Sequence, residues 1–181
     1  MPRTPPESEA FRASRWRAVR CGLVRSCALA LIWLVLAPQH VAAELSGAVD
    51  GRALIGIDGR YGGALSLDLW ATRGMFRPGA AFAIGALSRH DSASSRVFTP
   101  LSLSLAFVPG GDASGLVAIV RVGGYAGAQK GGLIGGGFAS GSLGYGLALG
   151  EGASLRLAAE AWGLIGQHGG IFFGPTLGLG F

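Results

Sequence analysis

From position 51 to position 181 the chain alternates apolar residues with small or polar ones at a period of two. Eight such runs, separated by clusters of Gly, Ser, Asp and Pro, cover about 51–61, 63–72, 79–89, 97–107, 115–125, 138–149, 153–165 and 170–181. In the second, Leu65, Leu67, Leu69 and Ala71 oppose Ser66, Asp68, Trp70 and Thr72. In the fourth, Val97, Thr99, Leu101, Leu103, Leu105 and Phe107 oppose Pro100, Ser102, Ser104 and Ala106. Wound as a helix, LSLSLAF would scatter its leucines around the cylinder; as a strand it has one apolar face. Evenly spaced short strands with turn signals between them predict a sandwich or a barrel.

The second face of each run decides which. A soluble β-protein turns its apolar face inward and wets the other with polar and charged side chains. Here the opposing face is mostly Gly, Ala and Ser with an occasional Arg, Asp or Glu, too small and too apolar for a solvated exterior. It suits the inside of a narrow eight-stranded barrel, whose interior is just wide enough to be filled by side chains. The Leu, Ile, Val, Phe and Tyr face then turns to lipid. The fifth run, LVAIVRV, is apolar at nearly every position, and its register is set by pointing Arg121 away from lipid. A tilted strand needs about 9–11 residues to cross a bilayer, which these runs supply. Tyr61, Phe107, Tyr125, Phe173 and Phe181 fall near run ends, where aromatic rings anchor at headgroups. The strands must close on one another, because an open edge in hydrocarbon leaves backbone polar groups unsatisfied.

The expected fold is therefore all-β: a closed eight-stranded antiparallel up-and-down transmembrane barrel. An even strand count returns both ends of the barrel chain to one side, the periplasm. Turns at about 73–78, 108–114 and 150–152 are expected there, with outward segments at 61–63, 90–96, 126–137 and 166–170.

The first 43 residues carry an address. Six arginines from Arg3 to Arg25, then CALALIWLVLA, then VAA ending at Ala43, follow the basic, apolar, small-residue order of a cleavable signal peptide. The apolar core, Cys27 to Ala37, is far shorter than the roughly 20 residues of a spanning helix. Residues 1–43 are thus expected to be a secretion signal and 44–181 the barrel domain. Cys21 and Cys27 leave with the signal, which excludes a disulfide, a zinc-thiolate site or cysteine catalysis in the remainder. Nine basic residues remain against eight acidic ones, so no nucleic-acid partner is implied.

GIFFGPTLGLGF, the last run, carries a resemblance. The chain from about Gly51 to Phe181 resembles the small outer-membrane β-barrel proteins of Gram-negative bacteria, whose last strand alternates and ends in an aromatic residue. That resemblance implies an assembly signal at Leu177, Leu179 and Phe181, read by the outer-membrane assembly machinery. It implies the outer-membrane bilayer as surroundings, and it brings no catalytic residue, cofactor or metal.

Candidate chemistry is sparse. Arg156 and Glu160 lie four apart on the inner face of one strand, roughly 13 Å along it, so they cannot pair with each other. Each can reach Asp58, Asp68, Arg60 or Arg121 on other strands, and charges inside a narrow barrel must be paired. These six form the expected lumen polar cluster, read as a plug in preference to a transport pathway. His90, Asp91 and Ser92 have the His-x-Ser spacing of lipid-A-modifying hydrolases, but in RHDSASSR nothing fixes a nucleophile against a base. His168 in GQHGG is read as a solvated loop residue. Gly123, Gly127, Gly131 and Gly135 match the spacing of close helix packing, a competing reading for a segment otherwise taken as an outer loop. The functional expectation is a structural or surface-interaction barrel of the envelope, with a small pore as the alternative.

Overall fold

In the computed structural model, residues 44–72, 74–90, 92–110, 114–150, 152–166 and 169–181 are described, with the side chains of 92–94 excepted. The expected signal segment 1–43, Asp91 and His168 lie outside them. Eight strands follow in order: β1 (Glu44–Gly56), β2 (Arg60–Thr72), β3 (Phe76–Arg89), β4 (Ser92–Phe107), β5 (Gly115–Gln129), β6 (Gly132–Gly150), β7 (Ala153–Ile165) and β8 (Gly170–Gly180). Each pairs antiparallel with its sequence neighbours and β1 pairs with β8, so the sheet is a closed up-and-down barrel. Closure leaves no strand edge to satisfy.

The period-two pattern places side chains as the alternation requires. Along β4, Leu101 is 65% exposed and Ser102 6%, and the alternation continues through Leu103, Ser104, Leu105 and Ala106. Leu65, Leu67, Phe82, Ile84, Val120, Val122, Leu143 and Leu157 stand outward in the same way. A soluble monomer rarely exposes an apolar patch beyond a few hundred Å². A belt of large apolar side chains around the whole barrel suits hydrocarbon, where it carries no hydration cost.

Several boundaries differ from the expectation. The first strand begins at Glu44, and the β1–β2 turn is Ile57–Gly59, not 61–63. Gly59, at φ 79°, takes a backbone conformation that L side chains rarely adopt, and its N–H bonds Gly56 O at 3.2 Å. The glycine-rich stretch 126–137 is not an outer loop but the end of β5 and the start of β6. Gln129 pairs with Gly132 across a two-residue turn, Lys130–Gly131. Glycine lacks the side-chain pattern of a strand but keeps both backbone bonding groups, and here neighbouring strands use them. Gly123 and Gly127 lie in β5, Gly131 in the turn and Gly135 in β6, which overturns the helix-packing reading. The far-end connection after β3 is likewise short, since β4 starts at Ser92.

At the β1–β8 seam the last strand closes the ring against β1 between Ala48 and Gly56. Ala48 pairs with Gly180, Val49 with Leu179, Gly51 with Leu177 and Ile55 with Phe173. Gly47 and Phe181 exchange two backbone hydrogen bonds of 2.9 Å. A Cβ on Gly47 would lie 2.6 Å from Phe181 Cε2, so the missing side chain makes room for the ring. Tyr125 also departs from expectation. It is buried in the lumen, on the same face as Arg121, and anchors no headgroup region.

Candidate functional site

Inward residues fill the barrel in layers. Toward the far end, where the β1–β2 turn lies, Phe98, Phe138, Trp162, Phe172, Leu54, Leu87 and Leu164 pack into one apolar cluster. Trp162 is its hub, edge-on to Phe138 at 4.9 Å and to Phe98 at 6.0 Å between ring centroids. Toward the near end, where β1 begins and β8 finishes, Trp70, Ala48, Ala106 and Ile119 form a second, smaller cluster.

Between the two lies an ion network built from four strands. Asp50 and Arg52 come from β1, Asp68 from β2, Arg121 from β5, and Arg156 and Glu160 from β7. Period two puts all six on the inner face, and the register of the sheet brings them to neighbouring levels. Arg121 bridges β2 to β7: its Nε and Nη2 donate to the two oxygens of Asp68 at 2.8 and 3.1 Å, and its Nη1 to Glu160 Oε1 at 2.7 Å. Arg52 donates through Nε to Glu160 Oε2 at 2.5 Å and through Nη2 to Asp50 at 3.1 Å. Arg156 Nη2 donates to Asp50. Ser66 and Thr176 hydroxyls complete Asp68 and Glu160 at 3.0 and 3.1 Å.

Three carboxylates face three guanidiniums, so the fully ionised network is neutral. Such pairing is what allows charges to be buried at all, since breaking one partner leaves an uncompensated ion in a dry site. Each side of the network is closed by an indole: Arg52 lies over Trp162 at 5.3 Å and Arg156 over Trp70 at 5.4 Å. A Cβ on Gly178 would run into Asp50 Oδ1, so glycine there gives the carboxylate its space. The gap between network and aromatic layer, lined in part by Arg52, Arg121, Phe138 and Trp162, is about 10 Å³. That is room for one water at most.

Of the expected lumen cluster, Asp68, Arg121, Arg156 and Glu160 meet here. Asp58 and Arg60 do not; they form a separate pair at the β1–β2 turn. Arg60 Nε donates to Asp58 Oδ2 at 2.6 Å and its Nη2 to Gly169 O at 2.7 Å. The Arg60 hydrogen bond holds the Asp58 carboxyl below the usual carboxylate range. The sequence reading missed Asp50 and Arg52 as partners. Arg52 alternates with Ala53 and Ile55 in the first run, and a run extended toward Ala43 puts Asp50 on the same face.

Leu177, Leu179 and Phe181 all point outward. His90 is an exposed turn residue, with no catalytic geometry around it to describe, since Asp91 and the Ser92 side chain lie outside the described residues. Among the described residues no group of His, Cys, Asp or Glu is placed to hold a metal.

No protein family's sequence profile matches the chain, and no curated protein matches it. Solved structures do. Neisserial surface protein A superposes with a TM-score of 0.52 at 8% identity, covering 75% of this chain and 94% of its own. The N-terminal β-barrel domain of Pseudomonas aeruginosa OprF gives 0.44 at 16% identity, covering 75% and 97%. Ail, the attachment invasion locus protein of Yersinia pestis, gives 0.45 at 9%, covering 75% and 94%. With eight antiparallel strands closed in a ring, an outward apolar belt and a filled polar lumen, this chain has the fold of the small eight-stranded outer-membrane β-barrels.

Proposed function

We propose that the protein is a structural or surface-interaction barrel of the bacterial outer membrane whose lumen does not conduct. The supporting observation is the continuity of the filling: an apolar layer around Trp162, a neutral six-residue ion network and Trp70 follow one another along the axis. A pore needs a connected wet path, and these layers interrupt one. Within this reading, residues 1–43 direct secretion, Leu177, Leu179 and Phe181 serve assembly, the lipid bilayer is the immediate partner, and no catalytic step is assigned. Short far-end turns at Ile57–Gly59 and Lys130–Gly131 restrict any surface partner to the barrel rim.

Planar-bilayer recording of the purified protein tests this. The expected result is a baseline without discrete openings. Reproducible unit conductances from the unaltered protein, abolished by substitutions at Arg121 or Glu160, would instead establish the pore reading.

A further inference from the structure

Outside the neutral ion network, charge divides unevenly between the two ends of the barrel. The far end holds Arg60, Arg89, Arg96 and Lys130 against Asp58, and by chain position Asp91 joins them. The near end holds Arg77 against Glu44, and by chain position Arg73, Asp112 and Glu151 join those. The far end thus carries two excess positive charges and the near end one excess negative charge. The basic residues follow the far rim from strand to strand. Arg60 of β2 stands directly opposite Arg89 of β3, Arg96 of β4 comes next, and its partner on β5, Gln129, precedes Lys130. Like charges directly opposite on paired strands are destabilising, and an anion brought to this rim offsets that repulsion.

The depth of the rim says where that anion comes from. Ile57, in the β1–β2 turn, is 72% exposed and Leu133, just past the Lys130–Gly131 turn, 92%. With Tyr61 and Val97 they carry the apolar belt up to the turns themselves. Such a belt is settled in hydrocarbon, so the basic groups at its edge lie at the level of lipid headgroups. Arg and Lys suit that boundary, with apolar stems along the belt and charges in the polar layer. Register supplies both halves of a lipid site. Val97, Ala128 and Leu133 stand side by side on β4, β5 and β6, all outward, with the small Ala128 between two larger side chains. One residue nearer the turns, the next row is Arg96, Gln129 and Gly132, with Lys130 at its tip and Arg89 on the neighbouring β3. We infer that this side of the far-end rim binds an anionic lipid headgroup, its phosphate on the exposed Lys130 and Arg89 in the positive field of Arg96, and an acyl chain in the dip at Ala128. The inference rests on the membrane reading above and adds a preferred lipid class to it.

The test places the purified protein in phosphatidylcholine nanodiscs and adds a trace of spin-labelled phosphatidylglycerol or spin-labelled phosphatidylcholine, each labelled high on one acyl chain. Broadening of the Ala128 and Leu133 amide resonances reports the site, and that of Leu45, exposed at the near end, serves as reference. Per labelled molecule, phosphatidylglycerol is expected to broaden Ala128 and Leu133 about 25-fold more than phosphatidylcholine, about fivefold for each of Lys130 and Arg89. Leu45 should show no preference. Lys130→Gln should reduce the preference about fivefold, and Lys130→Gln with Arg89→Gln should abolish it. Arg77→Gln, at the near end, should leave it intact, with heat-modifiable gel mobility as the check on folding for every variant. Equal broadening by the two lipids overturns the proposal, as does a preference that survives in the folded double variant. Saturable binding of inositol hexakisphosphate at Lys130 that added phosphatidylglycerol does not displace overturns it in favour of a soluble partner. If neither lipid reaches Leu133, the membrane reading itself has failed and the proposal falls with it.

Discussion

Arg121→Met removes the residue on which the network most depends while keeping an unbranched apolar stem of similar length. Arg121 is 3% exposed and makes three hydrogen bonds to two carboxylates on opposite sides of the lumen. Without it, Asp50, Asp68 and Glu160 share only Arg52 and Arg156, so the network carries one uncompensated negative charge. Glu160 keeps Arg52 at 2.5 Å, whereas the nearest remaining cation to Asp68 is Arg52 at 3.6 Å. Removing one partner of a buried pair costs about 3–5 kcal/mol, a large share of the roughly 5–15 kcal/mol by which proteins are stable. Urea unfolding from lipid vesicles measures the loss as a lower midpoint at unchanged slope. Adding Glu160→Gln restores neutrality, so the double variant is expected to be more stable than Arg121→Met alone, with a coupling of about 1–3 kcal/mol. A single-variant cost under about 1 kcal/mol, or strictly additive effects, refutes the claim that the six residues act as one neutral unit.

Four further outcomes follow from the same geometry. Trp162→Ala, at the hub of the aromatic layer, is expected to lower unfolding stability by about 3–5 kcal/mol, the usual range for a buried aromatic. Leu101→Arg, on the lipid face near the middle of β4, should cost about 2–4 kcal/mol in vesicles, against a much smaller effect for Leu101→Phe. Phe181→Ala and Gly47→Val both disturb the ring that lies on Gly47 at the β1–β8 seam, and each should reduce the heat-modifiable fraction in outer membranes while leaving secretion unchanged. Asp58 titrates lower in the folded protein than its ordinary 3.8, so its stabilisation is present above that value and lost as pH falls through the folded one. Comparing unfolding of the unaltered protein with Asp58→Asn should therefore give a gap of at most about 1 kcal/mol for this part-exposed pair, constant near neutrality and closing below about pH 4.

The faces of the strands were legible because a period of two leaves no choice: once Leu101, Leu103 and Leu105 face one way, Ser102 and Ser104 face the other. The inside-out character followed from residue size, since a face of Gly, Ala and Ser cannot be a solvated exterior. What alternation could not supply was extent. ELSGAVD carries too few large residues to mark a strand, and with it Asp50 was lost from the site. The 126–137 segment failed for a related reason: glycine at Gly131, Gly132, Gly135, Gly136 and Gly137 erases side-chain periodicity, although the backbone still pairs through Gln129 and Gly132. Register was equally hidden. Only the closed ring shows that Asp68 of β2 and Glu160 of β7 sit within reach of one arginine on β5, while Asp58 and Arg60 pair with each other two residues apart.

One face of each strand meets hydrocarbon and the other a dry, filled lumen. Residues 44–181 contain no cysteine, so single cysteines can be placed at Leu101, Ser102, Leu103, Ser104 and Leu105 and spin-labelled in lipid vesicles. Collision with oxygen, which concentrates in lipid, and with a polar nickel chelate, which stays in water, reports each position's surroundings. Positions 101, 103 and 105 are expected to collide with oxygen alone, and 102 and 104 with neither. Chelate access at 102 and 104 would mean a water-filled lumen, and chelate access at 101, 103 and 105 would mean a protein that does not sit in a membrane.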